Sequence, residues 1–167
     1  MNMQKQAERF GAESTFAQVS SMELTEPEKK IHTEDGNTFT SRAVILALGA
    51  SPRELGLPEE RALRGRGVSY CATCDGMFYK GKTVVVVGGG DTAAADTVFL
   101  SKICQKIYLV HRRDTLRASK AYLKPLEACE NVEFVWDTVV EEILADSSVT
   151  GVRVKNKKTG ESCLLYT

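Results

Sequence analysis

Apolar positions are short and scattered among Ser and Thr over the first forty residues or so, and from residue 83 onward they gather into longer runs. Residues 15–24 carry isolated apolar spots, and residues 30–33 and 38–40 flank Asp35-Gly36-Asn37. Turn residues between two short runs predict a hairpin. Residues 43–48 form an unbroken apolar run that ends in Gly49, consistent with a buried strand. Residues 51–67 place Pro52, Pro58, Gly56, Gly65 and Gly67 among charged residues and read as a linker or an ordered crossing between two units.

Beyond that stretch the pattern is regular. Residues 83–87 are β-branched and run into a glycine cluster; residues 91–102 are Ala-rich and suit a helix. Residues 106–110 predict a second strand, and residues 119–129 a second helix with Ser119 as a possible cap. Residues 131–136 alternate, with Val132, Phe134 and Trp136 on one side. Strand, glycines, helix, strand, helix, strand is a βαβαβ order, which implies a parallel sheet. Residues 138–144, 149–155 and 162–166, the last pair separated by Thr159-Gly160, predict an antiparallel meander. The fold class is α/β: a Rossmann-like dinucleotide-binding domain with a parallel sheet and a β-meander, preceded by a β-rich segment.

Composition narrows the function. The chain has 167 residues, with 43% apolar and 26% charged, ordinary for a globular domain. Lys plus Arg equals Asp plus Glu at 22 each, so the broad basic surface of a nucleic-acid binder is not expected. No apolar stretch is long enough to span a bilayer, and residues 1–9 lack the apolar core of a signal peptide. Five cysteines at low density fit a reducing cytoplasm.

The glycine cluster continues as Gly88-Gly89-Gly90-Asp91-Thr92-Ala93, a G-x-G-x-x-A form of the dinucleotide fingerprint. Gly88 permits the tight turn, Gly90 lets the backbone approach a pyrophosphate, and Ala93 lets helix and strand pack closely. The phosphates would sit at the helix N-terminus, where free N–H groups and the helix dipole favour anions. The alternative is a plain turn with Asp91 as a helix cap. An NAD site would carry an acidic residue about 20 residues further on. Here the second strand runs instead into His111-Arg112-Arg113, with Arg117 one turn later. Guanidinium groups bind phosphate bidentately, so the cluster predicts a 2′-phosphate pocket and NADPH as coenzyme; a solvated basic face is the alternative. His111 is either a packed ring or a contact.

Cys71-Ala72-Thr73-Cys74 is a C-x-x-C followed by Asp75. This spacing allows a small disulfide ring and often lowers one thiol pKa, and Asp75 is placed to move a proton to a leaving thiolate. Zinc needs four ligands, usually with a second close pair, which Cys104, Cys129, Cys163, His32 and His111 do not offer. A chance pair of packed cysteines is the remaining alternative. Nicotinamide reduces disulfides poorly unaided, and a flavin usually stands between them.

Taken with Gly88–Ala93 and the run from His111 through Ser119, the Cys71–Gly76 stretch resembles the low-molecular-weight, bacterial-type thioredoxin reductases, as do residues 47–52 and 56–58. The resemblance implies NADPH, FAD in the full-length parent, thioredoxin or a similar small dithiol protein as partner, and a homodimeric parent. It implies that residues 1–52 are the tail of the first half of an FAD domain, 53–66 a hinge, and 67–167 the NADPH domain with its redox-active disulfide. The chain then reads as an internal piece of a reductase, not expected to bind FAD or turn over alone. A stand-alone NADP-binding redox sensor, or a dithiol reductase for another carrier, are the competing functions. Leu48, Ala95 and Asp96 depart from the family pattern.

Overall fold

A computed structural model describes residues 3–167, in two units that divide between Ala50 and Ser51. Met1 and Asn2, the start of the segment read as an FAD-domain tail, lie outside the described residues.

In the first unit a short helix, α1 (Met3–Arg9), precedes a three-stranded antiparallel sheet of β1 (Val19–Glu23), β2 (Lys29–Thr33) and β3 (Thr38–Ser41). The predicted hairpin is β2–β3, with Ile31 opposite Phe39. Its turn is closed by the Thr33 hydroxyl, which donates to the Asp35 carboxylate and to the Asn37 carbonyl oxygen. The strand predicted over residues 43–48 is absent. Those residues have no regular structure, and Ile45 and Leu48 are 92% and 84% exposed. A run that is apolar on both faces becomes a strand only where neighbouring strands and layers receive it, and none in this unit does.

The second unit is built around a parallel sheet of β4 (Thr83–Val87), β5 (Lys106–Val110) and β6 (Val132–Val135), with β5 central. The connections are the helices α3 (Asp91–Leu100) and α4 (Lys120–Glu127); α2 is the short helix Ala72–Asp75, described below. An antiparallel meander of β7 (Thr138–Ala145), β8 (Val149–Asn156) and β9 (Ser162–Tyr166) follows. Side chains alternate across a strand, and β5 shows the consequence. Ile107 packs with Leu100 and Cys104, and Leu109 with Ala94, Ala118 and Leu126, on the helical side. Tyr108 and Val110 pack with Val152, Val154 and Leu165 of the meander. The sheet is thus covered on both faces, which explains why β5 is apolar from Ile107 to Val110.

Residues 51–70 are an ordered part of the second unit. The buried Glu60 carboxylate accepts from the backbone N–H groups of Leu55 (2.9 Å) and Gly56 (2.8 Å) and from the Tyr70 hydroxyl (2.7 Å). Burial pushes the Glu60 carboxyl up, but the hydrogen bonds it accepts outweigh this and hold it below its ordinary value. Burial and the neighbouring Glu60 carboxylate push Tyr70 up to about 12. This clasp fixes the chain one residue before Cys71.

Candidate functional site

At the end of β4 the Gly88 N–H donates to the Val110 carbonyl at 3.1 Å, tying the glycine turn to β5. Gly88 has φ +152°, and a Cβ there would lie 2.9 Å from the Ala93 Cβ, so both the conformation and the closeness of α3 require glycine. Gly89 is buried against the His111 ring, and a Cβ would enter the imidazole. Gly90 is the N-cap of α3, and no atom lies where its Cβ would point. That open space beside the first turn of a helix could admit a pyrophosphate to the backbone N–H groups. Thr92 is exposed on the same turn. Asp91 has a further engagement: its carboxylate accepts from the Ser119 backbone N–H at 2.6 Å. Ser119 occupies the N-cap of α4, but its own hydroxyl makes no cap bond.

Parallel strands deliver their C-terminal ends to one edge of the sheet, where open α/β folds bind ligands. His111 follows β5 at that edge, its N–H donating to Val135 O at 3.0 Å. Its ring is buried, edge-on to Trp136 at 6.4 Å between centroids, with Nε2 lacking a hydrogen-bond partner. Burial pushes the His111 pKa down, and the charges of Arg112, Arg113 and Arg117 push it further the same way, against a backbone hydrogen bond with Thr115. The ring is therefore a neutral support beneath Gly89.

Arg112, Arg113 and Arg117 are all exposed, and none has an ion-pair partner among the described residues. Two acidic residues beside this loop, Asp114 within it and Asp137, whose N–H donates to Arg113 O, are engaged elsewhere. Lys158 holds Asp137 at 2.8 Å and Asp114 at 3.4 Å. Three guanidinium groups without an ion-pair partner in a six-residue loop concentrate positive charge in a chain with no net charge, a chemistry that suits an anion.

Cys71 and Cys74 form a disulfide, with Cα atoms 5.3 Å apart. Cys71 is the N-cap of α2, its Sγ accepting from the Cys74 N–H at 3.3 Å, and Cys74 is the more exposed of the two. Ser69 organises the turn: its hydroxyl donates to the Asp75 carboxylate at 2.6 Å and accepts from the Cys71 N–H at 3.2 Å. Gly76 seats the redox turn on the last turn of α3, where a Cβ would lie 2.9 Å from the Phe99 ring. Cys104, Cys129 and Cys163 are free thiols, and no cluster of metal-binding side chains occurs among the described residues.

The family profile described as pyridine nucleotide-disulphide oxidoreductase matches residues 3–166. The chain belongs to this family. Among curated relatives of this chain, a thioredoxin reductase of Streptomyces coelicolor is 47% identical over 160 residues, 96% of this chain and 50% of that protein. One of Mycolicibacterium smegmatis is 45% identical over 163 residues, 98% of this chain and 52% of that protein. The solved thioredoxin reductase of Giardia duodenalis aligns with a TM-score of 0.80 at 39% identity, covering 98% of this chain and 54% of that one. The chain thus spans about half the length of the curated relatives it matches. No helix among the described residues is long and apolar enough to cross a membrane.

The sequence did not point to Ser69, nor to the Ser119 amide as the partner of Asp91. A serine two residues before a C-x-x-C is a weak hint at best, and a backbone amide leaves no residue-type signal.

Proposed function

We propose that this chain is the NADPH-binding and disulfide-carrying part of a thioredoxin–disulfide reductase that works in the cytoplasm as a homodimer. The observation that carries this reading is the juxtaposition of Arg112, Arg113 and Arg117, exposed and unpaired, with an open glycine cradle, in the same unit as a C-x-x-C disulfide. Gly88, Gly90, Thr92 and Ala93 shape the pyrophosphate cradle, with His111 beneath it, and the three arginines hold the 2′-phosphate. When bound, NADPH supplies a hydride, and FAD in the full-length protein relays its two electrons.

Reduction of Cys71–Cys74 consumes two electrons and two protons. Asp75, fixed by Ser69, handles one of those protons. The resulting dithiol reduces the disulfide of thioredoxin or a similar small protein: the Cys74 thiolate attacks one sulfur of the carrier, a mixed disulfide forms, and Cys71 resolves it. The carrier leaves with two thiols, and the Cys71–Cys74 bond is restored.

Calorimetric titration with NADP+ and NAD+ tests the reading. NADP+ should bind more tightly, and replacing Arg112 and Arg113 with Gln should narrow the gap, each lost charged hydrogen bond being worth about 1.5–3 kcal/mol. Equal affinity of the unmodified chain for the two dinucleotides overturns it.

A further inference from the structure

The loop that carries the three arginines is pinned at both ends. At its start, His111 N–H donates to Val135 O (3.0 Å), Thr138 N–H to His111 O (2.9 Å) and Asp137 N–H to Arg113 O (3.2 Å). At its far end, Arg117 N–H donates to Gly89 O at 2.6 Å, and Ser119 N–H donates to the Asp91 carboxylate at 2.6 Å. Four of these five bonds run between main-chain atoms. Asp91 supplies the side-chain partner of the fifth, across 28 residues of sequence, and a further side-chain tie runs from Lys158 Nζ to Asp114 at 3.4 Å between two exposed groups.

The loop needs such a tie. Three like charges within six residues repel one another, and the loop's own carboxylate, Asp114, is engaged by Lys158. Left loose, the arginines would spread, and an anion would then have to order them as it bound. Pre-ordering a binding loop removes that cost from the binding free energy. The tie also joins the loop to the first turn of α3, which borders the glycine cradle.

We propose that Asp91 is a positioning residue for coenzyme discrimination, which rests on the NADP reading above. It acts through the Ser119 amide, holding the Arg112–Arg117 loop in register with the glycine turn so that a dinucleotide seated on the turn presents its 2′-phosphate to ordered guanidinium groups. The same tie contributes little to a dinucleotide that lacks this phosphate.

The test is calorimetric titration of the 167-residue chain and its variants with NADP+ and NAD+, folding being checked by amide spectra. Asp91→Ala removes the acceptor. The NADP+ over NAD+ preference should fall about threefold to tenfold, as for loss of one net hydrogen bond, with NAD+ affinity nearly unchanged. Asp91→Asn keeps an acceptor oxygen and should keep the preference. Asp91→Ser suits a helix start but is too short to reach Ser119; it should behave like Asp91→Ala and carries the test if the alanine variant does not fold. A preference unchanged in folded Asp91→Ala or Asp91→Ser overturns the inference alone, as does an Asp91→Asn variant that loses as much as Asp91→Ala. Equal affinity in the unmodified chain overturns the functional reading and this inference together.

Discussion

β2 and β5 are each five residues long, and each lies at the centre of a three-stranded sheet. Their surroundings differ. In β5 three residues are fully buried, and successive side chains enter two different cores. In β2 only Thr33 is buried, and its hydroxyl serves the hairpin turn. The partners of Ile31, Met22 on β1 and Phe39 on β3, remain 42% and 43% exposed. Both strands have their ladder hydrogen bonds, which contribute modestly to net stability because water competes for the same groups. Layers on either face separate the two cases, since burial of apolar area is the dominant favourable contribution. A sheet of three strands needs such a face to be independently stable.

This contrast fails if amide exchange is uniform. The amides of β5 should exchange on the order of a thousandfold or more slowly than those of β1–β3, because core elements open only with the global free energy. Equal protection in the two sheets would break the comparison outright. A smaller effect sharpens it. Leu109→Ala, at a side chain with no exposure, should cost about 2–5 kcal/mol in urea denaturation. Ile31→Ala on β2 should cost about 1 kcal/mol or less, and similar losses at both sites would contradict the layered account.

The smallest effect is that of acid on the second unit. The folded His111 pKa lies below its ordinary value of 6.5, chiefly through burial. The unfolded chain therefore binds this proton more readily than the folded one, and stability declines as pH falls below 6.5 toward the lowered value. His111→Gln should flatten that part of a plot of urea midpoint against pH. An unchanged slope would show that the ring is not held neutral by its burial.

One sequence signal leads to opposite outcomes in the two units. The apolar residues 107–110 lie in the strand predicted over 106–110, which forms as β5 because the helices and meander that cover it lie within the same hundred residues. The run over residues 43–48 satisfies the same criterion, yet it forms no strand and stays exposed. Hydrophobicity records a demand for burial and not whether neighbours meet it. The glycine turn and the C-x-x-C were legible because their spacing is local. The reach of Asp91 to Ser119 and the clasp of Glu60 on Leu55, Gly56 and Tyr70 were not, since each depends on the chain returning to meet a backbone amide or a distant hydroxyl. The burial of His111 was left open for a similar reason: the ring's fate depends on Gly89 having no side chain and on Trp136 arriving from β6.

Helix α3 touches both chemical features of the second unit. Its first turn emerges from the glycine cradle, and its last turn provides the seat for Gly76 behind the disulfide. Ten residues at a rise of 1.5 Å each make a rod about 15 Å long, which serves as a fixed ruler between them. Any displacement of the unit carries the two ends together, so neither can close the gap by bending toward the other. Removing a single residue from the middle of this helix would turn one end by about 100° relative to the other. Either the glycine turn would rotate away from the arginine loop or Gly76 would lose its seat, while every side chain of that loop and of the disulfide turn stayed the same.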